Sequence, residues 1–424
     1  MRGTRSVFVS FVASLSLLVA CSGPAGPEAG ELLWTLQFGT GEADEGSAVA
    51  VAGDGRIAVA GTTKGDLGGT NAGGWDAFAR LLDADRNPAW TRQFGTADDD
   101  RATGVAFHPT GGLVVAGFTS GGLEGPNEGG FDGFVRRLDD LGATLWTHQF
   151  GSAEHDVIEG LAVGADGRVV VAGTTGGALE GPSAGAGDAF VRVVDAAGDV
   201  VWTRQFGSIG EDFALGVATG PGGRIAVVGG TNGDLANPAA AAREENDAFV
   251  RVYDAGGDVV WTDQFGTTAF DDHLACVGIA KDGTVIVFGV TDGALAATNA
   301  GARDVFARAY DAAGQVLWTR QFGSGGSDYA TGLAVAGTNH VVVAGSTTGA
   351  MAGDAAGGLD VFVMRLGTDG QIAWLRQFGT EADDRARGLA IGPDGQAIVA
   401  GATGGALVGA SSGGDDVFLR AYGP

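Results

Sequence analysis

Positive charge is scarce in this sequence. Its 424 residues include 25 Lys and Arg against 51 Asp and Glu, which leaves a formal net charge of −26 at pH 7. Such a surface would repel nucleic acids and anionic lipid head groups, whereas it would attract cations and cationic partners. The composition therefore argues against nucleic-acid binding. The acidic excess would serve to attract a cation or a cationic partner, and the alternative is that it serves solubility alone.

Recognisable catalytic motifs are also lacking. Two segments fit G-x-S-x-G, around Ser183 and Ser411, but both lie in glycine-rich loops and not on the strand-to-helix elbow that a nucleophile needs. With 79 glycines in the chain, such matches are expected by chance. The five histidines show no H-E-x-x-H spacing and are scattered: His108, His148, His155, His273 and His340. The sequence thus favours a non-catalytic module over an enzyme.

Cysteine is nearly absent, with Cys21 and Cys276 the two examples. Cys21 follows a short basic region, Arg2 and Arg5, and an apolar run over 7–20 that is too short for a stop-transfer helix. The tetrapeptide Leu-Val-Ala-Cys that ends at Cys21 resembles the lipobox of bacterial lipoprotein signals. In that family the chain is cut before the cysteine, which is then acylated.

This resemblance implies a signal peptide over 1–20 and a lipidated Cys21 that opens a flexible linker over 21–30. It also implies a lipid-anchored protein of the bacterial cell envelope, and Ser22 after the cysteine favours the outer membrane. The alternative is an ordinary signal peptide with a chance cysteine at its end. If Cys21 is lipidated, Cys276 is the only remaining thiol, so the mature domain must be held together without an intrachain disulfide.

One hexapeptide pattern, W-x-x-Q-F-G, returns seven times along the chain. Successive tryptophans are separated by 56, 56, 56, 59, 57 and 56 residues: Trp34, Trp90, Trp146, Trp202, Trp261, Trp318 and Trp374. Each interval holds four strand-like runs joined by glycine-containing turns typical of hairpins. A repeat of this length with four strands is the signature of a β-propeller. We therefore predict an all-β fold over 31–424, with seven four-stranded antiparallel blades.

Side-chain size predicts how the four strands of a blade, labelled A to D in chain order, are arranged. The A runs are built of small residues, the B runs carry Val and Ile, the C runs carry Phe, and the D runs carry Trp and Phe. Because the gap between blades should widen from axis to rim, strand A is expected to line the axis. The chain opens with a lone D run and ends with a C run, so the N-terminal strand should complete the last blade and cover its edge.

The repeat resembles the SBBP β-propeller repeat of bacterial envelope proteins. The resemblance is carried by the C run 188–192, the turn 195–198, Trp202, Phe206-Gly207 and Asp212, and it extends over essentially all of 31–424. It implies the fold and an envelope setting. That family has no common activity, so no catalytic residue follows from it.

Two aspartates recur in every repeat. The first follows the motif Phe by six residues, or by seven in one repeat: Asp44, Asp100, Asp156, Asp212, Asp272, Asp328 and Asp384. The second opens each C strand, and an Arg follows four residues later in six repeats: Asp76, Asp132, Asp188, Asp247, Asp304, Asp360 and Asp416. Recurrence in every blade favours a structural role in turns and between sheets. The alternative is that the first set forms a ring that binds a cation such as Ca²⁺, although no loop has the Asp-x-Asp-x-Asp-Gly layout.

One segment departs from the repeat. The B–C connection of the fourth repeat contains Asn-Pro followed by four alanines, at 237–242. Asn is a favoured N-cap and Pro a favoured first helical residue, which predicts a short helix over 238–245.

The sequence therefore predicts a monomeric envelope lipoprotein whose propeller binds or scaffolds a protein or glycan. The short linker should hold the face with the C–D and A–B turns near the lipid, so the partner is expected on the opposite face, with the D–A and B–C loops. The alternative is an enzyme acting on an envelope glycan through an acidic site at the axis. A close carboxylate pair in a deep axial pocket would favour that enzyme.

Overall fold

The computed structural model describes residues 27–268, 270–336 and 340–424, which fold almost entirely into 28 β-strands. The A strands are β2 (Asp44–Val51), β6 (Asp100–Phe107), β10 (Asp156–Val163), β14 (Asp212–Thr219), β18 (Asp272–Ile279), β22 (Asp328–Ala336) and β26 (Asp384–Ile391). The B strands are β3 (Ile57–Thr63), β7 (Leu113–Thr119), β11 (Val169–Thr175), β15 (Ile225–Thr231), β19 (Val285–Thr291), β23 (His340–Thr347) and β27 (Ala397–Thr403).

The outer half of each blade is formed by the C and D strands. The C strands are β4 (Asp76–Leu82), β8 (Asp132–Leu138), β12 (Asp188–Val194), β16 (Asp247–Tyr253), β20 (Asp304–Tyr310), β24 (Asp360–Leu366) and β28 (Asp416–Tyr422). The D strands are β1 (Leu32–Phe38), β5 (Pro88–Phe94), β9 (Thr144–Phe150), β13 (Val200–Phe206), β17 (Val259–Phe265), β21 (Val316–Phe322) and β25 (Ile372–Phe378). The described residues also contain a single 3₁₀ turn, Pro221–Gly223, and none of their helical segments is long and apolar enough to cross a membrane.

The strands form seven antiparallel four-stranded sheets, each in the order A-B-C-D. Six sheets are built from consecutive strands, from β2–β5 (blade 1) to β22–β25 (blade 6). The seventh has the order β26-β27-β28-β1, so the N-terminal strand completes blade 7. The predictions of a seven-bladed propeller and of its closure by the first strand are both confirmed.

The two chain termini are joined by hydrogen bonds where the other blades have a C–D turn. The Gly30 N–H donates to the Gly423 carbonyl at 3.1 Å, and the Gly423 N–H donates to the Glu31 carbonyl at 2.8 Å. Arg376 of blade 6 donates from Nε to the Gly30 carbonyl at 2.9 Å. The closure therefore begins a few residues before residue 31. Residue 31 is the start of the propeller that was expected from the sequence.

The hydrophobic core is divided among the seven interfaces between blades. Seven clusters of buried side chains are present in the described residues, and each combines residues of two adjacent blades. At the interface between blades 2 and 3, for example, Phe150 of a D strand meets Phe190 of the next C strand edge-to-face, with ring centroids 5.8 Å apart. Large residues at the rim thus fill the wide part of each wedge, as their sizes predicted.

The A strands lie at the axis, and each contains a β-bulge. The pairing register with the B strand skips one residue, the fourth of every A strand. These bulged residues are Ser47, Thr103, Glu159, Leu215, Ala275, Thr331 and Arg387. The B strand approaches so closely there that a Cβ on Gly117 would lie 1.9 Å from the Arg101 carbonyl oxygen, which explains the glycine. A bulge re-aims a side chain, and here the seven bulged residues line the axis.

Closure by β1 leads to a testable prediction. Deletion of residues 31–39 should lower the free energy of unfolding by roughly 5 kcal/mol, because Trp34, Leu36 and Phe38 lose their packing and β28 is left as an open edge. Urea denaturation would measure the loss.

A circular permutant that carries residues 28–39 after Pro424 is the matched control, since it restores the same strand from the other end of the chain. Its stability should return to near that of the parent. An unchanged midpoint in the deletion variant would contradict closure by this strand.

Candidate functional site

The first set of recurrent aspartates caps the loops that connect one blade to the next. Asp100 is fully buried, and its Oδ2 accepts the Thr96 backbone N–H at 2.5 Å and the Thr96 hydroxyl at 3.0 Å. The other six behave in the same way, each with a Thr or Ser at the start of its D–A loop: Asp44, Asp156, Asp212, Asp272, Asp328 and Asp384. Each of these carboxylates thus fixes a D–A loop.

The second set of aspartates works with the glutamine of the W-x-x-Q-F-G motif, to which the sequence analysis gave no role. Gln205 Nε2 donates to Asp188 Oδ2 at 2.7 Å and to the Gly177 carbonyl at 2.9 Å. Its Oε1 accepts the backbone N–H groups of Leu179 and Glu180 at 2.9 and 3.1 Å. The glutamine therefore ties the B–C loop to the C strand. The constant spacing of 17 residues between aspartate and glutamine is the signal that could have revealed this.

The two sets meet at the glycine that ends the motif. A Cβ on Gly95 would lie 2.3 Å from Asp76 Oδ1 and 2.9 Å from Asp100 Oδ2, so the two carboxylates flank this glycine. Desolvation by burial raises the pKa of Asp100, against hydrogen bonds from Thr119 and Thr96 that lower it. The pKa of Asp272 is raised for the same reason. Oδ1 of most of these aspartates has no hydrogen-bond partner among the described residues.

The first set of aspartates does not converge on one point. Six of the seven are paired with an aspartate of the second set across the motif glycine. No group of three or more His, Cys, Asp or Glu in the described ranges is arranged to hold a metal ion. The hydrogen bonds support the structural interpretation. Binding of Ca²⁺ by the ring stays a prediction.

The arginine of each C strand contacts the preceding blade. The Arg192 guanidinium lies 3.9 Å from the centroid of the Phe150 ring, and its Nε donates to Thr203 Oγ1 at 2.9 Å. Burial lowers the pKa of Arg192 to about 10. The same stacking occurs at five other interfaces, for Arg80, Arg136, Arg251, Arg308 and Arg420. In blade 6 the position is taken by Met364, which is fully buried. These arginines hold neighbouring blades together.

The axis differs from this regular framework. A narrow channel of about 210 Å³ is lined by all seven A strands. Towards the face with the D–A and B–C loops it opens into a cavity of about 400 Å³, which we call the axial vestibule. The vestibule is lined mainly by the seven bulged residues together with Glu45, Thr62, Arg101 and Phe118.

Charged groups of both signs line the vestibule. Glu159 and Arg387 project from bulges on blades 3 and 7, on opposite sides of the axis, and both are exposed to the channel. Although Glu159 is open to the channel, protein surrounds it, and this loss of bulk solvent raises the pKa of its carboxyl. Attraction to Arg387 acts in the opposite direction and is the smaller effect.

An aromatic group lies beside the vestibule on the same face. Arg101 and Lys64 stack on the ring of Trp75, at 5.0 and 4.7 Å from its centroid. Phe118 of the vestibule contacts Phe131, with centroids 5.0 Å apart. None of these residues belongs to the repeated pattern. The vestibule thus has an aromatic border on the side of blades 1 and 2.

An acidic site at the axis was predicted only as an alternative, and the bulged residues that line the vestibule were not predicted. The fourth position of the A strands holds Ser, Thr, Glu, Leu, Ala, Thr and Arg in successive repeats, whereas the fifth position is Gly in five repeats and Ala or Cys in the other two. This local variation was a usable signal. This variation does not reveal the bulge. In a regular strand the side chains point alternately to the two faces of the sheet, so the sequence pattern does not predict which of them turn to the axis.

The other predicted candidates lie apart from the vestibule. Ser183, in a G-x-S-x-G match, donates to the Gly185 carbonyl at 3.1 Å within its own loop. His108 bonds to the Gly167 carbonyl at 3.0 Å, and His155 Nδ1 accepts the Phe131 N–H at 3.1 Å. Three further acidic residues of the D–A loops link neighbouring blades: Asp99 accepts the Trp75 N–H, Asp271 that of Asn246 and Asp383 that of Leu359. Cys21 lies outside the described residues.

The predicted helix over 238–245 is wrong. The segment forms a series of turns, because its polar groups bond to neighbouring loops. The Ile209 N–H donates to the Pro238 carbonyl at 3.0 Å, and the Arg243 N–H donates to the Asn232 carbonyl at 2.6 Å. Arg243 also forms an ion pair with Asp247. These tertiary hydrogen bonds outweigh the helix propensity of four alanines.

Comparison with known proteins supports the fold and goes little further. No protein-family model matches the chain. The WD40 domain of Pan2 from Neurospora crassa is similar in structure, with a TM-score of 0.52 and 12% identity over 94% of this chain and 97% of that one. BamB from Moraxella catarrhalis gives a TM-score of 0.42 at 14% identity, over 88% and 84% of the two chains.

A curated relative matches in sequence over a limited region. Regulatory protein FlaEY of Caulobacter vibrioides is 29% identical over 163 residues, which is 34% of this chain and 17% of that protein. The chain therefore corresponds to a small part of that relative. The similarity to the WD40 domain supports the β-propeller fold, and neither comparison identifies a ligand.

The glycine between the paired carboxylates gives a prediction. Gly95→Ala should lower the free energy of unfolding by about 1–3 kcal/mol, because the new methyl group would collide with the buried carboxylates of Asp76 and Asp100. Gly41→Ala is the matched control, since a Cβ there would meet no atom within 4 Å. Chemical denaturation of both variants would test this, and equal midpoints would contradict the close packing described here.

Proposed function

We propose that this protein is a bacterial envelope lipoprotein of the SBBP repeat type, anchored through Cys21, whose propeller binds a ligand in the axial vestibule without transforming it. One observation carries the proposal. The residues that hold the blades together recur, whereas the residues that line the vestibule differ from blade to blade. A single asymmetric ligand on the axis meets each blade with a different group, so the residues that contact it must differ from blade to blade. The contacts that hold the blades together are the same at each interface, and their residues can recur.

The described N-terminus supports an orientation on the membrane. Gly30 occupies the place of a C–D turn, so the chain enters on the face opposite the vestibule. The segment between Cys21 and Pro27 can reach at most about 20 Å, which would hold the C–D and A–B turns close to the lipid. In this arrangement the vestibule opens away from the outer membrane and is accessible to a protein or glycan.

The strong negative charge supports the exclusion of nucleic acid from the partners, and we propose that the anchored protein is a monomer. Ca²⁺ bound between the paired aspartates would be a structural ion in this scheme. Their unpartnered Oδ1 atoms supply suitable oxygen donors.

An enzyme acting on an envelope glycan is the second candidate. Glu45 and Glu159 line the same vestibule, and a carboxyl with a raised pKa, such as that of Glu159, suits a general acid. Turnover of a bound glycan would distinguish the enzyme from the binding module.

Anchoring is tested at Cys21. Cys21→Ser should leave the protein uncleaved by the lipoprotein pathway and should change its fractionation, because no thiol remains at the cleavage site to be acylated. Cys276→Ser is the control, since this second cysteine lies within the propeller. Metabolic labelling with a fatty acid would report on both. A Cys21→Ser variant that matures and fractionates like the parent would contradict lipidation.

Ligand binding is tested by filling the vestibule. Ala275→Trp places a large side chain at a bulge where other blades carry Glu159 and Arg387, so the propeller should fold while the cavity is blocked. Ala275→Ser, which copies Ser47 of blade 1, is the control. Thermal-shift measurements against envelope oligosaccharides and short peptides should find a ligand that stabilises the parent and the serine variant but not the tryptophan variant. Stabilisation that survives the tryptophan would place the binding site elsewhere.

A further inference from the structure

The charges in the vestibule alternate in sign around one half of the ring. Arg387 comes from blade 7, Glu45 from blade 1, Arg101 from blade 2 and Glu159 from blade 3. Their formal charges cancel, although the whole chain carries −26. The other half of the wall presents the uncharged residues Leu215, Ala275 and Thr331. The vestibule is therefore a two-sided cavity in which both signs of charge are available.

These charges are not consumed by the fold. Among the residues that the structure describes, none of the four takes part in an ion pair or a side-chain hydrogen bond. Arg101 stacks on Trp75, and Glu159 and Arg387 attract each other only at a distance. By contrast, the neighbouring Arg385 forms ion pairs with Asp383 and Asp415. Charged groups that face a cavity without an ion-pair partner can form charge-assisted hydrogen bonds with a ligand that supplies the opposite charges.

We propose that the vestibule binds a zwitterion of the amino-acid or short-peptide class, with its ammonium group at Glu159 and its carboxylate at Arg387. The inference rests on the proposed binding function and names its ligand. Leu215 and Ala275 would contact an apolar side chain, and the Ser47 hydroxyl would bond to a peptide group. The hydroxyls of Thr103 and Thr331 already donate to protein carbonyls, so they would accept a peptide N–H. A volume of about 400 Å³ lies within the range of small-molecule sites and suits a few residues.

Other ligand classes fit the charges less well. A neutral saccharide would leave Glu159 and Arg387 both without a partner. A purely cationic ligand would be drawn to the acidic protein but would meet Arg101 and Arg387, whereas a purely anionic one would meet Glu45 and Glu159. Only a ligand with both signs satisfies opposite sides of the vestibule at once.

Capped peptides test the proposal. Full-length protein in detergent would be titrated by calorimetry with trialanine, N-acetyl-trialanine, trialanine amide and the neutral saccharide triacetylchitotriose. Trialanine should bind at least about tenfold more tightly than either capped peptide, because each cap removes one charge-assisted contact. Glu159→Gln should abolish the preference over the acetylated peptide, and Arg387→Gln the preference over the amide. Glu128→Gln, at an exposed loop position, should change neither.

The outcomes separate this inference from the function on which it rests. Equal binding of free and capped peptides, no binding of any peptide, or unchanged preferences in the Glu159 and Arg387 variants would overturn the zwitterion assignment. If the saccharide binds and Ala275→Trp prevents it, the assignment fails while the vestibule remains a binding site. If a ligand binds equally well to Ala275→Trp, the proposed function fails as well.

Discussion

The structure depends on the contact that each D strand makes with the next blade. At six of the seven interfaces in the described residues, its motif Phe meets the Phe and Arg of the following C strand. In four D strands the Trp also donates to a carbonyl of the following C–D turn, as Trp146 does to Ala196 at 3.1 Å. Gln205, between the two aromatic positions, instead ties its own B–C loop to Asp188. One hexapeptide therefore shapes a blade and attaches it to its neighbour, which explains why it recurs while the loops around it vary.

The same contact closes the ring across the chain termini. Gly30 packs on Trp374 as the turn glycines of other blades pack on their tryptophans, and Arg376 holds its carbonyl. The last interface is thus equivalent to the others, although no covalent bond crosses between β28 and β1. The interface with Met364 in place of Arg shows that the guanidinium is replaceable, since a buried thioether also packs well against aromatic rings.

The sequence was sufficient to predict the blades because they are determined by local and recurrent signals. Alternating small and β-branched runs, glycine turns and the size gradient all point to one strand order, and β1 follows from counting strands. The helix over 238–245 failed because its backbone groups bond to residues distant in sequence, such as Ile209. The residues that line the vestibule were not predicted, because the bulge at residues such as Glu159 appears only once the A and B strands are paired.

Stability and recognition are thereby assigned to different residues. Side chains at the interfaces pack against two blades at once, so few substitutions fit there. The aspartates of the loops and the arginines of the C strands already form hydrogen bonds or stack on aromatic rings. A bulged residue is skipped in the strand pairing of its own sheet and its side chain lines the axis, so Ser, Leu, Glu or Arg can occupy the position without disturbing a blade. A repeat protein that is to bind one small ligand can place its specificity at such positions. We therefore propose the axial vestibule, and not the acidic loops around it, as the place where this propeller binds a ligand.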